Sequence, residues 1–561
     1  MDGGECGEVR EEGQGVAVDR QALAEGARER ARQRPFLQRV LKGMSKGDRR
    51  FREVLIGRNF VDTRLALLVD GRMEALEVER ADGQNWVGAI FKGRIQNLEP
   101  GLKAAFVITG QEKNAFLHYW DMLPAANDAY EIVANHGSGR RELTLEDIPK
   151  AYPVGAELMV QVIKAQIGTK GPRVTTNITL SGRYLVLTPF NGQCGISRKI
   201  EDAGERERLK EILRELAVPD GMGLVIRTAG AEKKLKYFVR DLSLLLQEWE
   251  RIAEKMQRSP EPCLLYREPD LVGRAVRDFL TDEVDRVVVD SPAVFSQLVQ
   301  DVGTVAPKLK GRVYLHDKPV PLFEYYSVEK QILQTFSRKV TLPSGGEIVI
   351  EETEALIAID VNTGSHHRRR EGGDGGLILA VNLEAADEIV RQMRLRNLGG
   401  LIIVDFIDMK NRADQKKILD AMQAGMEKDS ARFQILPISP FGMMQITRQR
   451  HSQSLTNDTR RRCPYCDGRG TLESPQTTAI RVQSSISAQL GGERREALAL
   501  RITVHPEVMH YLREFAGEFF GEMEARHNAQ LTFCASEALH RENFTIQSVP
   551  AANPAPAQPA P

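Results

Sequence analysis

The sequence predicts a multidomain protein of mixed α/β class. Three observations carry that expectation. At 561 residues the chain exceeds what one hydrophobic core sustains, which suggests three to five domains. Short alternating β segments punctuated by Gly and Pro recur over its first third. A β-helix-β pattern, with an acid at the end of each apolar strand, occupies residues 355–405.

In chain order, residues 1–51 are rich in Arg, Glu and Gly and read as a flexible or loosely helical charged extension. Val54 to Val78 alternates apolar and polar residues around Asp70-Gly71, a hairpin signal. From Trp86 to about Leu180, β segments at 88–91, 104–108, 115–117, 157–162 and 174–180 suggest a small Greek-key barrel. Residues 202–216 and 231–256 read as helices flanking a strand at 223–227. Ala355 to Ile359 and Leu401 to Val404 are continuous apolar runs. Between them Leu383, Ala386, Ile389, Val390 and Met393 fall at helical spacing, closed by Gly399-Gly400. A smaller α/β segment follows: a strand at 497–504, a helix at 507–527 and a strand near 531–533. The Ala/Pro tail from Ala551 reads as disordered.

Composition narrows the class. Hydrophobic residues make up 42% and no apolar run approaches the roughly 18 residues a spanning helix needs, so stable membrane insertion is not expected. The N-terminus lacks an apolar signal core, and a cytoplasmic location follows by default. Lys plus Arg equals Asp plus Glu at 77 each, so net charge does not point to nucleic acid. Local basic runs do exist at 366–370 and at 448–462. Six cysteines are too few for a disulfide scaffold, and only Cys463 and Cys466 have ligand spacing.

An Asp at one strand end is ordinarily a turn cap. Two such ends, Asp360 and Asp405, mean more. On parallel neighbours about 4.8 Å apart, both carboxylates would project from the same sheet edge. That separation suits one Mg²⁺, which takes oxygen ligands at about 2.1 Å and keeps waters that a substrate phosphate can displace. Asn362, two residues beyond Asp360, could orient a carboxylate without adding charge. Asp408 could do the same or merely cap the next segment.

These segments carry a resemblance. Ala358-Ile359-Asp360-Val361-Asn362-Thr363-Gly364, Asn382-Leu383-Glu384-Ala385-Ala386 and Gly399-Gly400-Leu401-Ile402-Ile403-Val404-Asp405-Phe406-Ile407-Asp408-Met409 strongly resemble the ribonuclease E/G family, over about residues 52–472. The resemblance implies that Asp360 and Asp405 bind a catalytic Mg²⁺ and that Asn362 positions the first of them. It implies hydrolysis of single-stranded RNA to 5′-phosphate and 3′-hydroxyl ends, in rRNA or tRNA processing and mRNA decay.

Further residues match family positions. Residues 86–180 look like an OB-fold RNA-binding domain, with Phe106, Phe116 and Lys170 at RNA-contacting positions, although a Phe in an alternating strand is ordinarily core. Residues 181–271 resemble the family's 5′-sensor domain. There Gly182, Val186, Arg227 and Thr228, with Arg432 from the catalytic segment, imply a pocket for a 5′-monophosphate. Arg and Thr suit a terminal phosphate, the former bidentately.

Cys463-Pro464-Tyr465-Cys466, followed by Gly468 and Gly470, is a metal knuckle: two thiolates bracketing a tight turn. A redox pair is the competing use of Cys-x-x-Cys. Structural Zn²⁺ wants four ligands, and two chains each giving two thiolates would meet that need, so a homodimer is expected. Within one chain, His451 as a third ligand is the other possibility. The resemblance adds that two such dimers pair into a homotetramer.

The architecture implied is an RNase-H-like scaffold split between residues 52–85 and 272–333 around the two inserted domains. A DNase-I-like catalytic domain (334–458), a zinc link (459–472), a small α/β domain (473–548) and a tail (549–561) follow. The split comes from the resemblance, not from strand patterns. The loop 364–370 is unusually basic for the family, and Gly375-Gly376-Leu377 stands where acidic residues are expected. No long scaffold arm follows the small α/β domain in the sequence, and a build closer to the ribonuclease G type is expected. The reading from another class is a non-catalytic RNA-binding protein of ribosome assembly or translation.

Overall fold

The computed structural model describes residues 20–32, 50–80, 86–123, 130–135, 144–166, 171–305, 307–363, 373–429, 431–449, 463–491 and 498–549. They fall into two compact units, divided between Asp458 and Thr459.

In the first unit, one five-stranded sheet runs in the order Val313–Leu315, Arg286–Val289, Arg52–Arg58, Asp62–Val69, Arg72–Arg80. Arg52–Arg58 pairs in parallel with Arg286–Val289, Val54 opposite Val287 and Ile56 opposite Val289, so segments more than 200 residues apart share one sheet. Both faces are covered, which is why Val287-Val288-Val289 is continuously apolar. Val54, Ile56, Val287 and Val289 pack under Leu271–Asp278 and Pro292–Val305, while Leu55 and Val288 face Leu322, Phe323 and Tyr326.

The expected hairpin turns at Asp70-Gly71, whose φ of 52° and 82° suit a two-residue turn. The span from residue 54 nonetheless holds an extra strand, broken where the Asn59 side chain accepts from the backbone of Val61 and Asp62.

Within the N-terminal extension, for which a flexible or loosely helical segment is expected, Arg20–Arg32 is a helix. Arg30 lies 2.9 Å from the fully buried Glu53 and 4.6 Å over the Tyr326 ring, and Arg20 pairs with Glu388 at 2.8 Å. Gly71 permits this docking, because a Cβ there would run into the carbonyl of Leu23.

Five strands close a barrel: Ile90–Glu99, Ala104–Ile108, Ala115–His118, Arg173–Thr175 and Glu157–Lys164, which pairs back to the first. Alternation fills its interior with Ala105, Val107, Leu117, Val160 and Val174. That is an OB-like closure. Two strands depart from the expected boundaries: Cys263–Tyr266 adds to the barrel's edge, and Tyr130–Asn135 joins the next sheet, where Val133 and Ala134 find an apolar core. That next sheet has the order Leu180–Ser181, Leu185–Thr188, Gly223–Ile226, Gln193–Ser197, Tyr130–Asn135.

A fourth sheet runs Lys339–Thr341, Glu347–Glu352, Leu356–Asn362, Gly400–Asp405, Met443–Arg448, Phe433–Ile435. Leu356–Asn362 and Gly400–Asp405 are parallel neighbours, joined across the helix Gly373–Leu395. Asn397, at φ 50°, supplies the left-handed turn after that helix, and Gly400 opens the strand at φ 93°.

In the second unit, Leu498–Val504 lies between parallel Ala529–Ala535 and antiparallel Phe544–Val549. The single helix expected over 507–527 is two, Pro506–Phe515 and Gly517–His527. The break at Ala516-Gly517 follows from the weak helix propensity of Gly, and it lets Leu512 and Phe520 both reach the core.

Candidate active site

Asp360 and Asp405 are direct partners in the parallel register, with Ile359 opposite Val404 one step before them. Ile359 and Val404 are buried on the covered face, so period-two alternation turns both aspartates to the open face. The carboxylates therefore share a face near the strands' C-terminal ends; Asp360 lies inside its strand rather than past it. Asn362, on the same face, donates from Nδ2 to Asp360 Oδ2 at 2.7 Å. Burial and the negative charges of Asp360 and Asp408 push the Asp405 carboxyl above its usual range. Two like carboxylates and an amide that fixes one of them form a donor set suited to a divalent cation. Among the described residues, no group of three His, Cys, Asp or Glu could hold a metal by itself. Asn382, fully buried, clamps the segment beyond Asp405: its amide donates to Ile407 O at 2.8 Å and accepts from Ile407 N at 3.1 Å.

On the barrel, Phe106 and Phe116 are register partners on the outer face, half-buried, with ring centroids 5.8 Å apart. A T-shaped aromatic pair on a sheet surface, next to Arg173, is suited to stacking bases. Lys170 lies outside the described residues.

The structure places Val186 in the strand Leu185–Thr188 and Gly182, Arg227 and Thr228 just outside the strands of the same sheet. Arg227 donates to Gly182 O at 2.6 Å, and Val186 faces Val225. Thr228 opens a 3-10 turn with its side chain exposed. Asp278 binds the far side of the Arg227 guanidinium at 2.9 Å, and the arginines around it hold its carboxyl below the usual range against the opposing effect of burial. Arg432, exposed, lies three residues past Asp429, whose carbonyl accepts from Lys199 beside this sheet. The buried Asp429–Arg448 pair, at 2.8 Å, anchors that segment.

Two carboxylates here escape sequence reasoning. Asp241 accepts from the backbone N–H of Arg183, Tyr184 and Leu185 at 3.1, 2.8 and 2.9 Å, and a Cβ on Gly182 would come within 2.6 Å of it. The available signal is an Asp amid the apolar stripe of Phe238, Leu242, Leu245 and Trp249. Asp278 offers no comparable signal.

In the second unit, Cys463 and Cys466 bracket a turn, and Asp467, Gly468 and Gly470 just beyond it take positive φ. Both thiols are free, and Gly470 N approaches Cys466 Sγ at 3.4 Å. Hydrogen bonds from the backbone of Cys466 and Tyr465 lower the Cys463 thiol below its usual range. The knuckle is braced on its own domain: Tyr465 lies 4.2 Å from the His540 ring, and Arg469 pairs with Glu542 at 2.7 Å. His451 lies outside the described residues.

Residues 179–451 match the model of the Ribonuclease E/G family, and residues 462–549 match that of an RNase E/G thioredoxin-like domain. Ribonuclease G of Salmonella typhimurium is 36% identical over 434 residues, covering 77% of this chain and 87% of that protein. The chain belongs to the ribonuclease E/G family. Ribonuclease G of Escherichia coli K12 aligns to the same extent. Ribonuclease E of Haemophilus influenzae is 37% identical over 487 residues, 86% of this chain but only 50% of that longer protein. Membership in the ribonuclease E/G family supports an endoribonuclease activity, and the family match covers the acid pair. No described helix is long and apolar enough to cross a membrane.

Proposed function

We propose that the chain is a Mg²⁺-dependent endoribonuclease that cuts single-stranded RNA to 5′-phosphate and 3′-hydroxyl ends. The carrying observation is the register pairing of Asp360 with Asp405 on one open face, with Asn362 bonded to the first. Asp360 and Asp405 would hold the cation, which when bound supplies charge neutralisation and water activation for phosphodiester hydrolysis. Asn362 fixes the Asp360 carboxylate in one orientation. Phe106 and Phe116 stack bases of the strand on the barrel. Gly182, Val186, Arg227, Thr228 and Arg432 receive a 5′-monophosphate, so such ends are favoured over hydroxyl or triphosphate ends. Processing of rRNA and tRNA and decay of mRNA are the roles this chemistry suits.

The test is a 5′-monophosphorylated single-stranded oligoribonucleotide with Mg²⁺, given to wild type, Asp360→Asn and Asp405→Asn. Internal cuts by wild type are expected, with kcat lower by roughly two to three powers of ten in both variants. Equal cleavage by all three would remove the nuclease assignment. Cys463 and Cys466 would share one Zn²⁺ with the same pair of a second chain, giving a dimer, and two dimers a tetramer. Cys463→Ser should then release zinc and halve the mass or more in light scattering; an unchanged mass would end the shared-metal reading.

A further inference from the structure

We propose that Phe441 forms a base-stacking subsite beside the acid pair, a platform for a nucleobase next to the phosphodiester that is cut. The inference rests on the ribonuclease reading and extends it. Phe441 is 83% exposed, unusual for so large an apolar side chain. It sits in Ser439-Pro440-Phe441-Gly442-Met443, which closes on itself: Ser439 N donates to Met443 O and Gly442 N to Ser439 O, both at 2.9 Å. Gly442 takes φ 82°, which glycine adopts without strain and which lets the turn close. The ring therefore projects from a hydrogen-bonded turn.

Its location gives the ring a use. Met443 is the register partner of Asp405, so Phe441 lies two residues beyond, roughly 7 Å along the strand direction. The position of a Cβ on Gly442 is 3.4 Å from Asp408 Oδ1, and Asp408 is one of the charges acting on Asp405. The turn thus borders the acidic rim. Single exposed apolar residues are common and need no role. Phe60, at 94%, is one, at a turn of the scaffold sheet far in sequence from any acid pair. What distinguishes Phe441 is a hydrogen-bonded turn next to the rim where a phosphodiester would lie.

The occupant that fits is a base. Carboxylates on the rim repel the RNA backbone except where a cation intervenes, whereas every base has a π-face that a phenyl ring can stack against. Stacking of this kind is tolerant of base identity, so the subsite would grip the strand near the cut without dictating sequence.

The experiment combines Phe441→Ala and Phe441→Trp with a series of 5′-monophosphorylated oligoribonucleotides carrying one abasic residue, walked across the cut position. Cleavage is followed with Mg²⁺, and binding of the intact strand by fluorescence anisotropy without divalent cations. Phe441→Ala should lower kcat/KM and weaken binding about tenfold, and Phe441→Trp should restore both. An abasic residue at one position beside the cut should cost wild type a similar factor and cost Phe441→Ala nothing further. Wild-type behaviour of Phe441→Ala, or a loss that Trp does not restore and that is equal for every abasic position, would overturn the subsite. So would a change of mass in light scattering with cleavage intact, which would make the ring a protein contact. Absence of any cutting by wild type would instead remove the ribonuclease reading, and this subsite with it.

Discussion

The acidic rim and the sheet that carries Arg227 hold their functional groups by opposite means. At the rim, backbone register does the work: two parallel strands set Asp360 beside Asp405, and among the described residues the neutral amide of Asn362 donates to the first of them. Around Arg227 the backbone alone does not suffice. Asp241 reaches across from the helix Leu235–Arg258 to hold three N–H groups of the Gly182–Leu185 turn, and Asp278 grips the guanidinium from the helix Leu271–Asp278. The rim sets two like charges side by side, whereas the second region ties its two carboxylates into bonds within the chain. Charge at the rim should thus be removable at little structural cost, while the carboxylates Asp241 and Asp278 of the second region hold structure.

The largest test of this contrast is Asp241→Ala. It leaves three backbone donors without their acceptor, and a loss on the order of 3 kcal/mol in urea-unfolding free energy is expected, together with loss of the preference for 5′-monophosphate ends. A loss below about 0.5 kcal/mol would erase the distinction.

The acid limb of stability comes next. Glu388, fully buried on the helix behind the rim, is bonded to Arg391 and Gln392 at 2.7 Å each and to Arg20 at 2.8 Å, with Arg72 beside it. Opposing burial, these arginines pull its carboxyl down to about 2. A depressed folded-state value means a contribution present above the unfolded value near 4.5, lost as pH falls towards 2. Wild type should lose on the order of 2–3 kcal/mol more than Glu388→Gln between pH 6 and pH 2.5. Parallel pH–stability curves would refute this.

The smallest expected effect is the most pointed. Asp360→Asn and Asp405→Asn, for all the activity they are expected to lose, should unfold within about 0.5 kcal/mol of wild type or slightly later, because each removes like-charge repulsion. Clear destabilisation would show the rim to be structural after all.

The same contrast explains what could be read from the sequence. The acid pair was legible because two apolar runs ending in Asp, with one helix between them, leave few alternatives to parallel neighbours. The hairpin at Asp70-Gly71 and the barrel strands were legible by the same local periodicity. Asp278 was not, because its meaning lies in a contact with Arg227, 51 positions away, that no local pattern encodes. The strand Tyr130–Asn135 likewise lies between barrel segments in sequence but is claimed by another sheet, since burial of Val133 and Ala134 overrides neighbourhood. The helix Arg20–Arg32, rich in Arg and Glu, has a weak apolar stripe, and its docking depends on Glu53 and Glu388.

The pairing of Arg52–Arg58 with Arg286–Val289 has a consequence during synthesis. A ribosome adding roughly 5–20 residues per second needs on the order of 10–50 s to travel from the first strand to its parallel partner. Throughout that interval Val54, Leu55 and Ile56 have no neighbour on one edge, and the inserted barrel becomes long enough to close only once Arg173–Thr175 has been made. The nascent chain therefore offers a sticky, half-built sheet to its surroundings, and slowed translation across residues 86–285 would prolong the time in which a chaperone must shield it.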